Sequence, residues 1–391
     1  MKNILRHLET VITIKTIIKK KIKICFPFVG DSIGGSHISA IELIKKLDKN
    51  FFSPIIVLHK KGILYNRLIS DGLNPNHLKI TNFVGKKKGF IPNLLSILKN
   101  TLLITSYIKK KEIDIVHLND SSAGLSWIFP TKISEAKLIW HQRVAFPKWR
   151  LYKTLFFFTE KIICISKFVY KTIPNYSKKK ATIVFNPISI KKIKTKSIKN
   201  NYLKIKSDLE NKKIKKILFL ANIIESKRVD FFIKIAEEII KKKIIKNSKF
   251  YIVGSDKKNL LKNNIFNNKI IYIGHEPNKE IFLKYCDLLI VTAENEGFNR
   301  TIVEGMLSKI PVIAVKSGAH SEIIKNNFNG WLVKKNNINN FVSTVTKVLN
   351  LEKNKLRNIL NKSKNLAKKN YNISNHATKI SEIYFKLFSS K

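Results

Sequence analysis

Two glutamates in one stretch of the chain have the side chains and the spacing to hold a sugar-containing ligand. Glu296 and Glu304 stand with seven residues between them, in the segment Glu-Gly-Phe-Asn-Arg-Thr-Ile-Val-Glu. An ionised carboxylate accepts hydrogen bonds from hydroxyl groups, and one carboxylate can serve two neighbouring hydroxyls. The loop that begins at Gly297 leads into a predicted helix, and backbone amides at a helix N-terminus favour a phosphate. The segment therefore predicts a place for a phosphate together with sugar hydroxyls.

The elements around the two glutamates follow a repeating pattern. The apolar run Leu288–Val291 predicts a buried strand, and Thr301–Leu307 predicts a helix. A second strand is predicted at Pro311–Val315, after which a turn containing Gly318 leads to a helix around Glu322–Lys325. Strands that alternate with helices in this way build a parallel, doubly wound sheet.

The same alternation runs through most of the chain. Further strands are predicted at Ile22–Phe28, Ile55–Leu58, Ile113–His117, Leu138–Trp140, Ile162–Ile165, Thr182–Phe185, Ile217–Leu220, Phe250–Val253 and Ile270–Ile273. Further helices are predicted at Ile38–Leu47, Leu94–Lys109, Asp230–Lys241 and Ser374–Phe388. The first strand runs into a turn that holds Gly34 and Gly35, which is typical of a nucleotide-binding opening although it does not match the G-x-G-x-x-G pattern.

The length of the chain, 391 residues, predicts two domains rather than one. A lysine- and asparagine-rich segment at 191–216 is predicted to link them. The predicted division is a basic N-terminal extension at 1–21, an N-terminal domain at 22–190, the linker at 191–216 and a C-terminal domain at 217–373. A C-terminal helix at 374–391 is expected to cross back to the N-terminal domain.

A net charge of +49 raises the alternative of a nucleic-acid-binding protein. The charge is spread evenly, however, with +23 in residues 1–190 and +26 in the rest. Nearly all of it is lysine, whereas recognition of phosphates and bases usually recruits the two-pronged guanidinium of arginine. The distribution argues against nucleic acid as a partner. It predicts instead a salt-sensitive attraction to anionic lipid surfaces.

Other features restrict the compartment and the chemistry. The sequence contains no run of 18 apolar residues and no pattern of a cleaved signal peptide, so a transmembrane helix is not expected. Cys25, Cys164 and Cys286 lie in apolar runs without metal or redox spacing, which favours reduced core cysteines in the cytoplasm. No Asp-x-Asp pair is present, so no metal site is predicted.

At family spacing, these motifs resemble the donor-binding motif of glycosyltransferase family 4. The segment from Glu296 to Glu304 is followed by Pro311-Val and by the turn Ser317-Gly-Ala-His-Ser-Glu322. The sequence has glycine at 305 where alanine is usual and lysine at 309 where glycine is usual, and neither change removes a polar contact to the donor. The resemblance implies the GT-B fold, in which two Rossmann-like domains face each other across a cleft. The C-terminal domain would hold the donor and the N-terminal domain the acceptor.

The resemblance also implies which residues form the site. It gives catalytic roles to His141, Glu296 and Lys227. His141 is predicted to contact the donor sugar from just past the end of a strand, with His117 as the lesser candidate. The implied donor-binding residues are Gly34, Gly35, Lys227, Arg228, Gly297, Phe298, Asn299, Arg300, Thr301, Ile302 and Glu304. Asn222 stands where the family usually has an arginine, so the usual pair of phosphate-binding cations is incomplete.

Several of these roles compete with simpler interpretations. Glu304 is expected to bind ribose hydroxyls, but Thr301-x-x-Glu304 also fits a capping box, in which Glu304 would only satisfy a backbone amide. Lys227 is expected to bind the diphosphate, although it is one of 68 lysines and could be a solvated one. Arg228 and Arg300 could either add positive charge to the site or face solvent.

The predicted function is therefore transfer of a sugar from a nucleoside-diphosphate sugar to a glycan or lipid-linked acceptor, with retention of anomeric configuration. No cofactor other than this nucleotide-sugar co-substrate, and no metal, is expected. The base, the sugar, the acceptor and the oligomeric state remain open. The alternatives are a basic nucleic-acid-binding protein with a Rossmann-like core and an inactive glycosyltransferase-like scaffold. The expected location is the cytoplasm, with peripheral contact at the inner face of the cytoplasmic membrane.

Overall fold

The structure, a computed structural model, describes residues 20–80, 94–119, 121–145, 154–189, 200–262 and 268–389. Nearly all of the predicted extension at 1–21 lies outside these residues. The chain divides into two units. The first unit comprises Met1–Pro187 together with Ile373–Lys391, and the second comprises Ile188–Asn372.

The first unit contains a seven-stranded parallel sheet in the order β3-β2-β1-β4-β5-β6-β7. Its strands are β1 (Ile22–Phe28), β2 (Phe52–Leu58), β3 (Asn76–His77), β4 (Ile115–Leu118), β5 (Lys137–Gln142), β6 (Lys161–Cys164) and β7 (Ala181–Ile183). The central strands are nearly continuous apolar runs, as expected for a parallel sheet that is covered on both faces.

Helices cover both faces of this sheet. They are α1 (Gly35–Lys46), α2 (Ile63–Ser70), α3 (Leu94–Lys111), α4 (Ser121–Ile133) and α5 (Lys167–Lys171), with the last helix of the chain, α13 (Ile373–Phe388). Right-handed crossovers place α1 and α2 on one face and α3 and α4 on the other. Ile380 and Tyr384 of α13 are fully buried in the core that α1 shares with β1. The last helix therefore completes the first unit.

The second unit contains a six-stranded parallel sheet in the order β10-β9-β8-β11-β12-β13. Its strands are β8 (Lys215–Leu220), β9 (Ser248–Val253), β10 (Ile270–Gly274), β11 (Leu288–Val291), β12 (Val312–Val315) and β13 (Trp331–Val333). Its helices are α6 (Asn200–Glu210), α7 (Val229–Lys241), α8 (Glu280–Tyr285), α9 (Arg300–Ser308), α10 (His320–Ile323), α11 (Ile338–Leu349) and α12 (Lys353–Asn370).

Two sequence predictions differ from the structure. The segment predicted as a solvated linker contains helix α6, because Ile205 and Leu209 within it are buried. Strand β5 also continues past Trp140, since His141 and Gln142 pair with β6. His141 therefore lies within the strand rather than beyond its end. Among the described residues, no helix has the length and apolar character that crossing a membrane requires.

Candidate active site

The strand order locates a crevice in the second unit. From β8 the chain moves outward through β9 and β10, and it then returns to place β11 on the other side of β8. The loops at the carboxyl ends of β8 and β11 therefore diverge, and ligands of open α/β sheets bind in the crevice between such loops. A pocket lies here, lined by residues of both strands and of the loops that follow them: Phe219, Leu220, Ala221, Lys227, Ile290, Val291, Thr292, Ala293, Asn299 and Thr301.

Backbone contacts fix Lys227 at the edge of this pocket. The loop after β8 ends in a short 3-10 turn, Glu225–Lys227. The Thr292 hydroxyl, at the end of β11, lies 2.8 Å from the carbonyl oxygens of both Lys227 and Arg228. The Glu294 amide donates to the Ser226 carbonyl at 2.9 Å. These hydrogen bonds connect the loop after β8 with the loop after β11, and they hold Lys227 beside the pocket.

Gly254 allows the backbone after β9 to approach the same loop closely, and this role was not predicted from the sequence. It follows β9 with a φ of +157°, and a Cβ built on it would lie 1.7 Å from the Ala221 carbonyl oxygen. The Ile223 amide also donates to the Ser255 carbonyl at 2.9 Å. Only glycine allows the two backbones to approach this closely. A glycine directly after the predicted strand Phe250–Val253 was the available signal.

Lys227 and Glu296, two of the three predicted catalytic residues, form an ion pair. The Lys227 ammonium lies 2.8 Å from a Glu296 carboxylate oxygen, and the two side chains are 21% and 18% exposed. An ammonium group has three N–H donors, so this pair leaves capacity for a phosphate oxygen. The structure thus brings together the predicted phosphate-binding cation and the predicted sugar-binding acid.

The turn at Gly318 positions the Glu296 loop. Gly318 has a φ of +54°, and a Cβ there would lie 2.5 Å from the Glu296 carbonyl oxygen. The Ala319 amide donates to that carbonyl at 2.9 Å, and the Asn295 amide donates to the Ser317 hydroxyl at 2.9 Å. The predicted Gly-containing turn therefore holds the acidic loop through a backbone hydrogen bond from Ala319 and through the side chain of Ser317.

Helix α9 begins beside this loop with Asn299 as its N-cap. The Asn299 side-chain oxygen accepts from the Ile302 amide at 3.3 Å, so a phosphate contact at that amide would have to displace the cap. The side-chain nitrogen of Asn299 lies 3.2 Å from Nε2 of His320. Because Nδ1 of His320 lies 2.8 Å from the Val315 carbonyl, Nδ1 carries the proton and Nε2 accepts from Asn299. Burial lowers the pKa of His320 to about 4, so the ring stays neutral.

The capping-box interpretation of Glu304 is wrong. It required Thr301 as the N-cap, whereas α9 begins at Arg300 after Asn299. The Thr301 hydroxyl instead donates to the Leu220 carbonyl at the end of β8, at 3.1 Å. The Glu304 carboxylate, 7% exposed, forms an ion pair with Lys279 just before α8. Lys279 was missed because one lysine among so many carries no signal in the sequence.

The remaining predicted donor-binding residues of this unit have different environments. Arg228 contacts Asp230 at 3.2 Å and Glu294 at 2.6 Å, so its charge is already engaged by two carboxylates. Arg300 is the half-buried first residue of α9. Phe298 is buried against the ring of Tyr371, with centroids 5.4 Å apart. Asn222 is exposed on the loop after β8.

In the first unit, polar groups gather at the carboxyl ends of β1, β4, β5 and β7. Asn119 donates to the Ser36 carbonyl in the glycine-rich turn at 3.2 Å. Arg143 donates to the Asn119 side-chain oxygen at 3.0 Å and also to Asn186. This network was not predicted from the sequence. It links the segments that follow the four strands. Gly34 is the N-cap of α1, and its amide donates to Nδ1 of His37 at 3.0 Å.

His141 also belongs to the first unit, and the structure places it in the core. It is 3% exposed, and its Nδ1 lies 3.0 Å from Nε2 of His117. Burial, with the neighbouring charge of Arg143 as a smaller cause, lowers the pKa of both histidines well below the usual value. Both rings are therefore neutral at physiological pH. The contact of His141, Gly34 and Gly35 with a donor held by the second unit remains a prediction.

Comparison with known proteins shows similarity to glycosyltransferases. Residues 202–369 match the family model described as glycosyl transferases group 1. An uncharacterised glycosyltransferase of Methanocaldococcus jannaschii is 28% identical over 50% of this chain and 51% of its own length. An Escherichia coli UDP-Gal:alpha-D-GlcNAc-diphosphoundecaprenol alpha-1,3-galactosyltransferase is 23% identical over 76% of this chain and 82% of its own. The chain thus spans about half of the archaeal relative.

The fold has a close counterpart among solved structures. A glycosyltransferase from Rickettsia africae superposes with a TM-score of 0.79 at 22% identity, covering 95% of this chain and all of that one. The two parallel-sheet α/β units thus have the GT-B fold of that structure, which confirms the predicted fold class. More particularly, the residues that match the group 1 model, 202–369, all lie in the second unit.

Proposed function

We propose that this protein transfers a sugar from a nucleoside-diphosphate sugar to a glycan or lipid-linked acceptor, with retention of anomeric configuration and without a metal ion. The observation that carries the proposal is the grouping of Lys227, Glu296 and the N-terminus of α9 around one pocket, with Glu304 on the same helix. A diphosphate needs cations and amide donors, and a sugar needs acceptors for its hydroxyls. The arrangement offers both.

The roles of the residues follow from their positions. Lys227 would contact the diphosphate and stabilise the negative charge that develops as the glycosidic bond breaks. Glu296 would accept from hydroxyls of the transferred sugar, and Glu304 from the ribose hydroxyls. Amides of the loop from Gly297 to Thr301 would add donors for the phosphates. Because Arg228 is engaged by two carboxylates, Lys227 would carry more of the charge stabilisation than in a site with two free cations.

Retention of configuration follows from a mechanism in which no protein nucleophile is required. The leaving phosphate would itself take the proton of the acceptor hydroxyl on the face that it leaves. The protein would then act by positioning the donor and by stabilising charge. The E. coli relative, whose name specifies a UDP-sugar donor and a diphosphoundecaprenol acceptor, supports a donor of this chemical class and a lipid-linked acceptor.

The first test is binding of nucleoside diphosphates. We expect UDP, GDP or ADP to raise the melting temperature in a thermal-shift panel, because a ligand that binds only the native state stabilises it. The nucleotide sugar that carries the preferred base should then be turned over equally well with and without excess chelator. Absence of any shift across the panel, or activity that returns only with added manganese or magnesium, would contradict the proposal. Salt-dependent binding of nucleic acid without a nucleotide shift would favour the nucleic-acid alternative.

One surface of the first unit supports peripheral membrane association. Helix α3 exposes Leu95, Leu98 and Leu102, which are 72%, 52% and 72% exposed and lie at helical spacing on one side. Helix α4, which packs against α3, exposes Phe129 and Ile133. We use the name apolar-basic face for the exposed apolar residues of α3, of α4 and of the loops that follow these helices.

Aromatic and basic residues continue this face. Phe129 contacts the ring of Phe158 with centroids 5.3 Å apart, and the ring of Phe157 stacks on Tyr176 at 4.6 Å. Exposed lysines in the same helices and in the segments that follow them are Lys99, Lys109, Lys110, Lys111, Lys132 and Lys179, of which Lys132 pairs with Glu160. Exposed apolar groups surrounded by lysines fit the interfacial region of an anionic bilayer, where apolar groups enter the acyl boundary and lysines meet the head groups.

We predict that replacing Leu98, Leu102 and Phe157 together by serine lowers partition onto anionic phosphatidylglycerol vesicles by about tenfold, because the lost apolar burial weakens binding. The measurement is vesicle co-sedimentation at low and high salt. The matched control replaces Ile63 and Ile69, which are 48% and 47% exposed, by serine on α2 at the opposite face of the sheet.

Three outcomes would contradict this surface assignment. The wild-type protein could bind neutral phosphatidylcholine vesicles as well as anionic ones. The α2 control could lose as much binding as the triple variant. Light scattering could show that the triple variant converts an oligomer into a monomer, which would make the apolar-basic face an interface between copies of the chain.

A further inference from the structure

Three buried polar rings in the first unit form a continuous chain of hydrogen bonds. The Tyr384 hydroxyl of α13 lies 2.6 Å from Nδ1 of His117 on β4. Nε2 of the same histidine lies 3.0 Å from Nδ1 of His141 on β5. Tyr384 and His117 are fully buried, and His141 is 3% exposed. In β4 and β5 every second side chain points to the sheet face that α13 covers. His117 and His141 both point to this face, and the register of the two strands brings their rings together.

Each of the two hydrogen bonds holds one proton, so the three rings have only two consistent arrangements when the histidines are neutral. In the first, the Tyr384 hydroxyl donates to His117, His117 donates to His141, and Nε2 of His141 carries a proton. In the second, every bond is reversed, and Nε2 of His141 is a bare acceptor. The state of Tyr384 at one end therefore decides the tautomer of His141 at the other.

Chemistry selects the first arrangement. A phenol is a more acidic donor than a neutral imidazole N–H, and an imidazole nitrogen is a more basic acceptor than a phenol oxygen. The short bond between Tyr384 and His117 is thus stronger with the phenol as the donor. Each arrangement leaves one buried donor without an acceptor among the described residues, the Tyr384 hydroxyl in the reversed one and Nε2–H of His141 in the first, so the strength of the Tyr384–His117 bond decides.

Nε2 of His141 is the open end of this chain. It is buried, and no residue among those described forms a hydrogen bond with it. The neighbouring ring of His376, stacked at 6.2 Å, does not supply a bond, since its Nδ1 is directed to the Phe185 carbonyl at 2.8 Å. A donor at the end of an ordered hydrogen-bond chain is suited to an oxygen of a ligand.

We propose that Tyr384 and His117 are positioning residues that hold neutral His141 as an Nε2–H donor to a sugar hydroxyl bound at the carboxyl end of β5 in the first unit. The proposal rests on the proposed function, in which the ligands of the protein are sugars. It gives His141 a defined chemical role. A ring that already carries its proton on Nε2 orients a sugar hydroxyl and does not remove a proton from the acceptor.

The direct test is the protonation of the histidine nitrogens, read by nitrogen-15 NMR of protein labelled at histidine. We expect Nε2 of His141 to be protonated and Nδ1 unprotonated in the wild type. In Tyr384→Phe, which keeps the ring and removes the hydroxyl, the signal should move towards a mixture of tautomers. The matched control is Tyr251→Phe, because Tyr251 is equally buried and its hydroxyl has no partner among the described residues.

Turnover provides the second measurement. We expect Tyr384→Phe to lose about threefold to tenfold in kcat at saturating donor, the scale of one hydrogen bond, while Tyr251→Phe loses nothing. In a His141→Ala background, Tyr384→Phe should cause no further loss, since a positioning residue acts only through the group it positions.

The outcomes separate this inference from the proposed function. A proton on Nδ1 of His141 in the wild type, or an unchanged nitrogen spectrum in Tyr384→Phe, overturns the inference whether or not the protein transfers sugar. An additive loss in the double variant would reduce Tyr384 to a packing role. If no nucleotide sugar is turned over, the proposed function fails, and the nitrogen spectrum still decides the tautomer.

Discussion

Replacing Lys227 by alanine is expected to lower turnover at saturating donor by about a hundredfold, the loss seen when one group that stabilises a developing anion is removed. The diphosphate gains negative charge as the glycosidic bond breaks, so a cation beside it stabilises the transition state more than the ground state. Lys227 stands at the pocket, and the backbone of its loop is fixed by Thr292. Since Arg228 is paired with Asp230 and Glu294, it is poorly placed to compensate.

The control for this variant must be a lysine with a similar ion pair outside the pocket. Lys258 is suited because it pairs with Glu225, on the same loop as Lys227, at 3.2 Å and is largely exposed. Lys216 is not suited, since it is 4% exposed and its ammonium donates to the Asn211 carbonyl. We expect Lys258→Ala to keep full turnover and Asn222→Ala to lose little. Equal turnover of Lys227→Ala and Lys258→Ala would show that another group supplies the charge.

Replacing Glu304 by glutamine is expected to weaken nucleoside-diphosphate affinity by about 1–3 kcal/mol, the cost of losing charge-assisted hydrogen bonds to the ribose hydroxyls. The structure removes the competing capping role, because Asn299 caps α9 and Glu304 is the fifth residue of the helix. Its carboxylate is nearly buried and pairs with Lys279, so it is held in one place before a ligand arrives. Affinity is measured by calorimetry with the preferred nucleoside diphosphate.

Loss of the ion pair with Lys279 could by itself lower stability, and a second acid controls for this effect. Asp208 pairs with Lys249 in the same unit and is likewise partly buried, at 27% exposure. Asp208→Asn should lower the melting temperature by a similar amount and leave nucleotide affinity unchanged. If Glu304→Gln also leaves affinity unchanged in the folded protein, the carboxylate serves the ion pair alone and does not bind the ribose.

Strands that are continuous apolar runs were predictable from the sequence, because burial on both faces of a parallel sheet leaves little room for polar residues. Ile22–Phe28 and Leu288–Val291 were predicted with their observed bounds. The predictions were wrong where a polar residue continues a strand by pairing with a neighbour, as His141 does with Ile163. Helix α6 was missed because it lies in a segment, 191–216, that is rich in lysine and asparagine.

The site was predictable where it consists of a local motif. The loop with Glu296, the turn with Gly318 and the helix with Glu304 are close in sequence, and their spacing fixes their contacts. A residue that arrives from a distant loop gave no signal: Lys279 reaches Glu304 from another βα unit. For Gly254, its place after a predicted strand was a signal, but its approach to Ala221 depends on the pairing of β9 with β8. Such contacts depend on strand order, which a single sequence does not specify.

The way the two units are connected determines which of them can complete its folding first during synthesis. The second unit is one uninterrupted stretch, whereas the first begins the chain and is completed only by Ile373–Lys391. During translation, the second unit can therefore finish folding while the core of the first unit still lacks α13. Until that last helix arrives, His117 has no phenol beside it. A chain truncated before Tyr384 would retain the intact second unit and lose the proposed proton arrangement of the first unit.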